Sequence, residues 1–125
     1  MAFISHFGVK AGTRDDFARL FRESAKQLQE DKPRTLVFLA YLSQAATQAS
    51  FLHVFADAES MNVHFQGSDE RSRAAYEYLE PMGWEVYGRP SQEALETLRD
   101  AASSAGVTLS VEPDYLMGFL RLRSP

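Results

Sequence analysis

The segment 51–65 constrains the fold of this chain most, because its hydrophobic period changes from two to about 3.6 at Asp57. Phe51, His53 and Phe55 alternate with other residues, which places them on one face of a predicted strand. A helical period follows at once. The switch therefore predicts a strand that runs directly into a helix.

The predicted helix after Asp57 carries its own start signal. Asp57 can cap it by accepting a hydrogen bond from the amide of Glu59 or Ser60. One turn later, an apolar side chain and a second histidine line one side of the helix, Met61 and His64. Two histidines and several aromatic side chains therefore collect at one corner, which suits binding of an aromatic ligand or positioning of a proton acceptor.

The remaining pattern predicts an alternation of strands and helices. The predicted strands are Ala2–Val9, Thr35–Gln44, Ala49–Ala56 and Trp84–Arg89. The predicted helices run from Thr13, as N-cap, to about Asp31, from Ala58 to about Gln66, from Ser68 to Leu79, and from Gln92, capped by Ser91, to Ser104. Pro81 and Gly83 are expected to separate the third helix from the fourth strand.

This order predicts an α+β fold, the ferredoxin-like βαββαβ plan, in one domain of 125 residues. The core is expected at about residues 1–90 and a C-terminal extension at about 91–125, with β-rich pieces at 107–111 and 115–123. Thr35–Gln44 is so apolar that we expect both of its faces to be covered. Two sheets that pack face to face in a homodimer satisfy this expectation.

Charge and composition exclude several classes of protein. The net charge is −4 and the sequence has no basic run, which argues against nucleic acid as a partner. No cysteine is present for disulfides or thiolate metal sites, and no histidine pair has metal-ligand spacing. The sequence shows neither an export signal nor an apolar run long enough to span a membrane, so we expect a cytoplasmic protein without a membrane partner.

With this element order and the segment DAESMNVHF, the chain resembles the dimeric α/β barrel superfamily, and within it the antibiotic biosynthesis monooxygenase-like domains. The matching positions are Ser60, Met61 and His64, after a small or acidic cap. The resemblance covers most of residues 1–90 through element order. It implies a homodimer that assembles as a dimeric α/β barrel, with a pocket between sheet and helices in each protomer.

The resemblance also implies a chemistry, because some members of this family oxidise phenols or quinols with O2 and use neither metal nor flavin. Removal of a proton makes such a substrate electron-rich, so the protein supplies acid-base catalysis and orientation. Other members degrade heme with an Asn, Trp and His set. This chain has Trp84 and His64, but it offers Ser5 or His6 where the Asn is expected, which argues against heme degradation.

The candidate catalytic base is His64 or His53, since the unperturbed pKa of histidine lies near neutrality. The candidate substrate-binding residues are Trp84, Phe51, Phe55, Tyr41 and Met61. For each of these residues a role in packing or in the dimer interface remains the alternative. Arg89 is a candidate partner for an anionic intermediate or for an exposed ion pair, and the charged residues Asp69, Glu70, Arg71 and Arg73 are expected to form a solvated face.

The residues, together with what the resemblance implies, leave two functions open. The first is a cofactor-independent monooxygenase that oxidises a small aromatic or quinol substrate with O2. The second is a non-catalytic, ligand-binding or stress-associated protein of the same fold, in which the same residues only pack.

Overall fold

The computed structural model describes residues 1–121, which form one mixed sheet with four helices on one of its faces. The strands are β1 (Ala2–Val9), β2 (Thr35–Leu42), β3 (Gln48–Phe55), β4 (Leu79–Tyr87) and β5 (Thr108–Glu112). The helices are α1 (Arg14–Asp31), α2 (Ala58–Phe65), α3 (Ser68–Ala75) and α4 (Gln92–Ala105).

The sheet has the strand order β2-β3-β1-β4-β5, with β1 at its centre. The first four strands pair antiparallel, as a ferredoxin-like sheet requires, and β5 adds to β4 in parallel. The predicted α+β, ferredoxin-like fold is therefore confirmed. The sheet is mixed because α4 carries the chain back across it before β5 begins. A division into core and extension near residue 90 stays a prediction.

The predicted boundary between α3 and β4 was wrong. The helix ends at Ala75, and β4 begins at Leu79 and contains both Pro81 and Gly83. Pro81 is tolerated because β5 pairs only with residues 83–87 of β4, so the missing amide of Pro81 faces no second partner strand. A register shift against β1 at His6/Phe7 absorbs the irregularity.

The cap of α2 confirms the prediction at Asp57. Its side chain accepts hydrogen bonds from the amide of Ser60 at 2.8 Å and from the Ser60 hydroxyl at 2.7 Å. Both bonds lower the pKa of Asp57, and the bond from the hydroxyl has the larger effect. Thr13 also precedes its helix as predicted, but its hydroxyl donates to the carbonyl of Lys10 instead of capping α1.

Side chains on the helix-covered face of the sheet form two buried clusters. One lies under α2 and α4 and contains Phe3, Phe55, Met61, Trp84, Val86, Leu98 and Ala102. The other lies under α1 and contains Phe7, Phe17, Ala49 and Leu79. Because each β-strand alternates its side chains, the helix-covered face takes one set of residues and the opposite face the other.

The opposite face of the sheet is open in the protomer, so the cover of β2 on both sides by a second sheet stays a prediction. Leu39 is 45 % exposed and Tyr41 is 60 % exposed on this face. The pairing joins Leu39 to Leu52 and Leu52 to Ile4, so an apolar row crosses three strands. The folded protomer by itself does not cover this row.

The C-terminal segment differs from its prediction in the part that the structure describes. Residues 113–121 form no strand, and Tyr115, Met117 and Phe119 are more than three-quarters exposed. The end of the predicted strand, residues 122–123, lies outside the described residues. Within residues 1–121, we find no helix with the length and apolarity that crossing a membrane requires.

Candidate active site

A cavity of about 570 Å³ lies between the sheet and the helices. The sheet side of this cavity is formed around one small residue of β1, Ser5. Ser5 is paired with Phe51 of β3 on one side and with Trp84 of β4 on the other. Ser5 lies between Phe3 and Phe7 on the same face of its strand, so four large side chains surround a short one. The shortage of side-chain volume at Ser5 leaves the two buried clusters separated by open space.

The walls of the cavity are mostly aromatic. Seven of the nine phenylalanines line it, together with Trp84 and Tyr76; the seven are Phe3, Phe7, Phe17, Phe21, Phe38, Phe51 and Phe65. The rings of Phe17 and Phe51 are stacked at 13° with centroids 6.0 Å apart. Leu98 and Ala101 of α4 complete the wall beside Trp84, so the C-terminal part of the chain contributes to this cavity. The volume lies within the range of about 300–1,000 Å³ that is typical of small-molecule sites.

His53 has a defined tautomer at the cavity wall. Its Nδ1 lies 3.1 Å from the backbone carbonyl of Phe3, and since a carbonyl oxygen only accepts, Nδ1 must carry the proton. The lone pair is then on Nε2, for which residues 1–121 provide no hydrogen-bond partner. The pKa of His53 is lowered from 6.5 to about 4. Burial is the main cause, the hydrogen bond to the Phe3 carbonyl opposes it, and the nearby charge of Arg71 lowers the pKa by a smaller amount.

His64 lies beside His53, with ring centroids 5.0 Å apart and planes at 77°. The hydroxyl of Thr35, at the start of β2, lies 2.6 Å from Nδ1 of His64 and orients its ring. The pKa of His64 is lowered from 6.5 to about 3. Burial is the main cause, and the positive charges of protonated His53, of Arg71 and of Lys32 act in the same direction. Both imidazoles are therefore neutral near neutral pH, with nitrogen atoms at an apolar cavity.

Two cations close the C-terminal end of α2 beside His64. Lys32 donates to the carbonyls of Val63 and Gln66 at 2.8 and 3.0 Å. Arg71 donates to the carbonyls of His64 and Gln66 at 2.6 and 3.1 Å. The last carbonyls of a helix lack partners within the helix, so these bonds satisfy them. The end of the cavity at His64 is consequently electropositive.

The structure brings together four of the seven residues that the sequence analysis selected. His53, His64, Phe51 and Trp84 line the cavity. Phe55 and Met61 lie in the core beneath it and are at most 1 % exposed; the Phe55 ring supports that of His64 at 5.2 Å. Tyr41 does not line the cavity, because its position in β2 directs it to the open face of the sheet.

The sequence analysis missed the cavity residues that come from helices α1 and α3. Arg71 was assigned to a solvated face, whereas it is half-buried and lines the cavity. The sequence pattern indicated Phe21 and Phe38 only as core positions of a helix and a strand. Their ring centroids lie 5.3 Å apart because of how α1 packs on β2, which no local pattern predicts. Arg89 forms an exposed ion pair with Asp114, away from the cavity lining.

His6 occupies the opposite face of the sheet. Its Nδ1 lies 3.1 Å from the hydroxyl of Ser50, and its Nε2 lies 2.6 Å from a carboxylate oxygen of Glu85. The second oxygen of Glu85 accepts a hydrogen bond from Tyr87. The hydrogen bonds from His6 and Tyr87 lower the pKa of Glu85.

Among residues 1–121, no three side chains of His, Cys, Asp or Glu converge as ligands for a metal ion.

Comparison with known proteins finds similarity in structure only. No protein family and no curated protein matches this chain in sequence. The crystal structure of MupZ from Pseudomonas fluorescens superposes with a TM-score of 0.69 at 15 % identity, over 94 % of this chain and 88 % of MupZ.

Two further solved structures connect the fold to the predicted resemblance. SnoaB from Streptomyces nogalater, a cofactor-independent oxygenase, gives a TM-score of 0.57 at 15 % identity, over 66 % of this chain and 87 % of SnoaB. A putative antibiotic biosynthesis monooxygenase from Bacteriodes thetaiotaomicron gives 0.55 at 15 % identity, over 65 % and 83 %. At this identity the comparison concerns architecture. The chain therefore has the fold of the antibiotic biosynthesis monooxygenase-like proteins, as the resemblance predicted.

Proposed function

We propose that this protein is a monooxygenase that oxidises a small aromatic or quinol substrate with O2 and uses no metal or flavin. The observation that carries the proposal is the pair of neutral imidazoles, with centroids 5.0 Å apart, at the wall of an aromatic cavity. The similarity in fold to SnoaB supports it.

His53 is the better candidate for the base that removes the substrate proton. Its hydrogen bond to Phe3 keeps the proton on Nδ1 and the lone pair on Nε2. With a pKa of about 4, neutral His53 outnumbers its protonated form by a factor of about 1,000 at neutral pH. Burial makes an isolated imidazolium costly, but an imidazolium formed beside the substrate anion is paired, which offsets that cost.

The reaction needs little else from the protein. For an anthrone-like substrate, loss of a proton from the CH2 group gives a carbanion whose electrons O2 accepts; the CH2 carbon becomes a carbonyl, and water leaves with the second oxygen atom. His64, oriented by Thr35, is placed to donate or accept the second proton. The aromatic walls hold and orient the substrate.

A ligand-binding protein of the same fold remains the second candidate. One observation favours it: in residues 1–121, neither His53 nor His64 has a carboxylate partner that would stabilise its protonated form. In that case the two rings form part of the wall of a binding site.

The test is oxygen uptake by the metal-free protein with anthrones, quinols and flavonoid-like phenols. We compare wild type with His53→Gln, His64→Gln and Ser5→Leu, which adds side-chain volume to the cavity at a position that pairs with neither histidine. Uptake that His53→Gln reduces by about 100-fold, a common value for a general base, supports the assignment. Ligand binding without uptake identifies a binding protein, and uptake that survives Ser5→Leu places the chemistry elsewhere.

A homodimer is the second part of the proposal. The open face presents the apolar row Ile4, Leu52 and Leu39 together with the exposed ring of Tyr41. The described part of the C-terminal segment presents Tyr115, Leu116 and Met117, each at least 80 % exposed. Exposed apolar surface of this extent is typical of an interface. Packing of two sheets by these faces would cover it.

A further inference from the structure

Arg71 is the feature of the cavity that the proposed chemistry leaves unused. Its guanidinium carries five N–H donors, and the hydrogen bonds to the carbonyls of His64 and Gln66 engage one nitrogen each. The side chain is half-buried and lines the cavity. Among residues 1–121, no carboxylate lies within ion-pair distance of it.

The position of Arg71 is held by the turn between α2 and α3. Gly67 has φ +80°, so the chain reverses in a left-handed conformation and α3 begins at once. A Cβ at Gly67 would lie 3.4 Å from a terminal nitrogen of Arg71, which shows how closely the guanidinium packs on this turn. Burial lowers the pKa of Arg71, yet the group keeps its charge, because a guanidinium stays protonated in proteins.

The surroundings of Arg71 add positive charge without compensation. Lys32 caps the same end of α2 and has no carboxylate partner in the described residues. Arg73 also lines the cavity, and the single acid among the described lining residues, Asp69, is exposed at the rim and forms no ion pair with Arg71. A half-buried cation without an anionic partner is costly in free energy, and a ligand that supplies the anion recovers this cost.

We propose that the cavity binds an aromatic molecule that carries a carboxylate, and that this carboxylate pairs with Arg71 at the end of the cavity beside His64. The inference deepens the proposed function by naming the class of ligand, and it rests on the same cavity being the binding site. Arg71 holds the carboxylate, while the Phe17 and Phe51 pair and Trp84 hold the rings.

Arg71 also has a purely structural explanation, as a cap for α2, and the experiment must separate the two roles. Loss of the cap would weaken the binding of every ligand in this cavity by a similar factor. Loss of a carboxylate partner would weaken the binding of anions alone. The decisive quantity is therefore the ratio of the affinities for a charged ligand and for a neutral ligand of the same shape.

The experiment measures binding of anthracene-2-carboxylate and anthracene-2-carboxamide to the protein in the absence of oxygen. The signal is the quenching of the fluorescence of Trp84, the only tryptophan of the chain. We expect wild type to prefer the acid by about tenfold or more, as charge-assisted hydrogen bonds imply. Arg71→Gln should remove this preference and Arg71→Lys should restore part of it. Arg99→Gln, an exposed change of the same charge on α4, should leave it unchanged.

Equal binding of acid and amide by wild type, or no binding of either, overturns the inference, and so does a preference that survives Arg71→Gln. The wild-type ratio and its decrease with added salt decide the question even if Arg71→Gln fails to fold. Because no turnover is measured, the result is independent of the oxygenase proposal. An acid preference without oxygen uptake sustains this inference alone, and uptake on neutral substrates without the preference sustains only the oxygenase.

Discussion

The two buried histidines should make the protein lose stability when the pH falls from neutral to mildly acidic values. In the unfolded chain both imidazoles take up protons near a pKa of 6.5, whereas in the folded protein burial holds the pKa values at about 4 for His53 and about 3 for His64. The unfolded state therefore binds more protons between these values. The stabilisation is fully present above the unfolded pKa and is lost as the pH falls toward the folded pKa.

The magnitude follows from proton linkage. Between pH 7 and pH 5, each histidine should reduce the free energy of unfolding by about 2 kcal/mol, or about 4 kcal/mol together. A typical domain has only about 5–15 kcal/mol in total, so the effect is large. The pKa values of Asp57 and Glu85 are also lowered in the folded protein. The stability that these two carboxylates contribute is present above their unfolded pKa values and is lost only as the pH falls toward their folded pKa values.

The assay is urea unfolding followed by Trp84 fluorescence at several pH values, for wild type and for His53→Gln and His64→Gln. In the acidic half of the range, each histidine should contribute a slope approaching about 1.4 kcal/mol per pH unit. Each single variant should therefore lose about half of the wild-type slope, whatever its stability at neutral pH. A free energy of unfolding that stays constant down to pH 5 would refute the reasoning, because it would mean that both rings accept protons in the folded state.

Two further predictions concern the sheet. Gly83→Ala should destabilise the protein by about 1–3 kcal/mol in thermal unfolding, since Gly83 has φ +148° and a Cβ would lie 3.0 Å from the carbonyl oxygen of Thr108. Gly12→Ala is the control, because Gly12 also has a positive φ but a Cβ there would meet no atom within 4 Å. An equal loss of stability in Gly12→Ala would contradict the predicted clash with β5. Sedimentation equilibrium should give twice the chain mass of 14.1 kDa at micromolar concentration, and Leu39→Glu on the open face should shift the species toward the monomer. A monomeric wild type would contradict the proposed dimer.

Local patterns in the sequence predicted most of the fold. The alternation in β1 and β3 and the caps at Asp57 and Ser91 depend on residues close in the chain, so the sequence alone indicates them. The boundary of β4 has no such local signal. Pro81 and Gly83 are ordinary signs of a turn, and they lie in a strand only because β1 provides pairing with a register shift on one side while the other side is free at Pro81.

The candidate site divides in the same way. Sequence by itself determined that Phe51, His53 and Phe55 share a strand face and that His64 follows on a helix, because these relations depend on the period of a single element. Only the tertiary structure decided that both rings meet at one cavity, that Ser5 leaves its volume open and that Arg71 enters the wall. Cavities and charge pairing depend on distances between side chains far apart in the sequence, which no local period encodes.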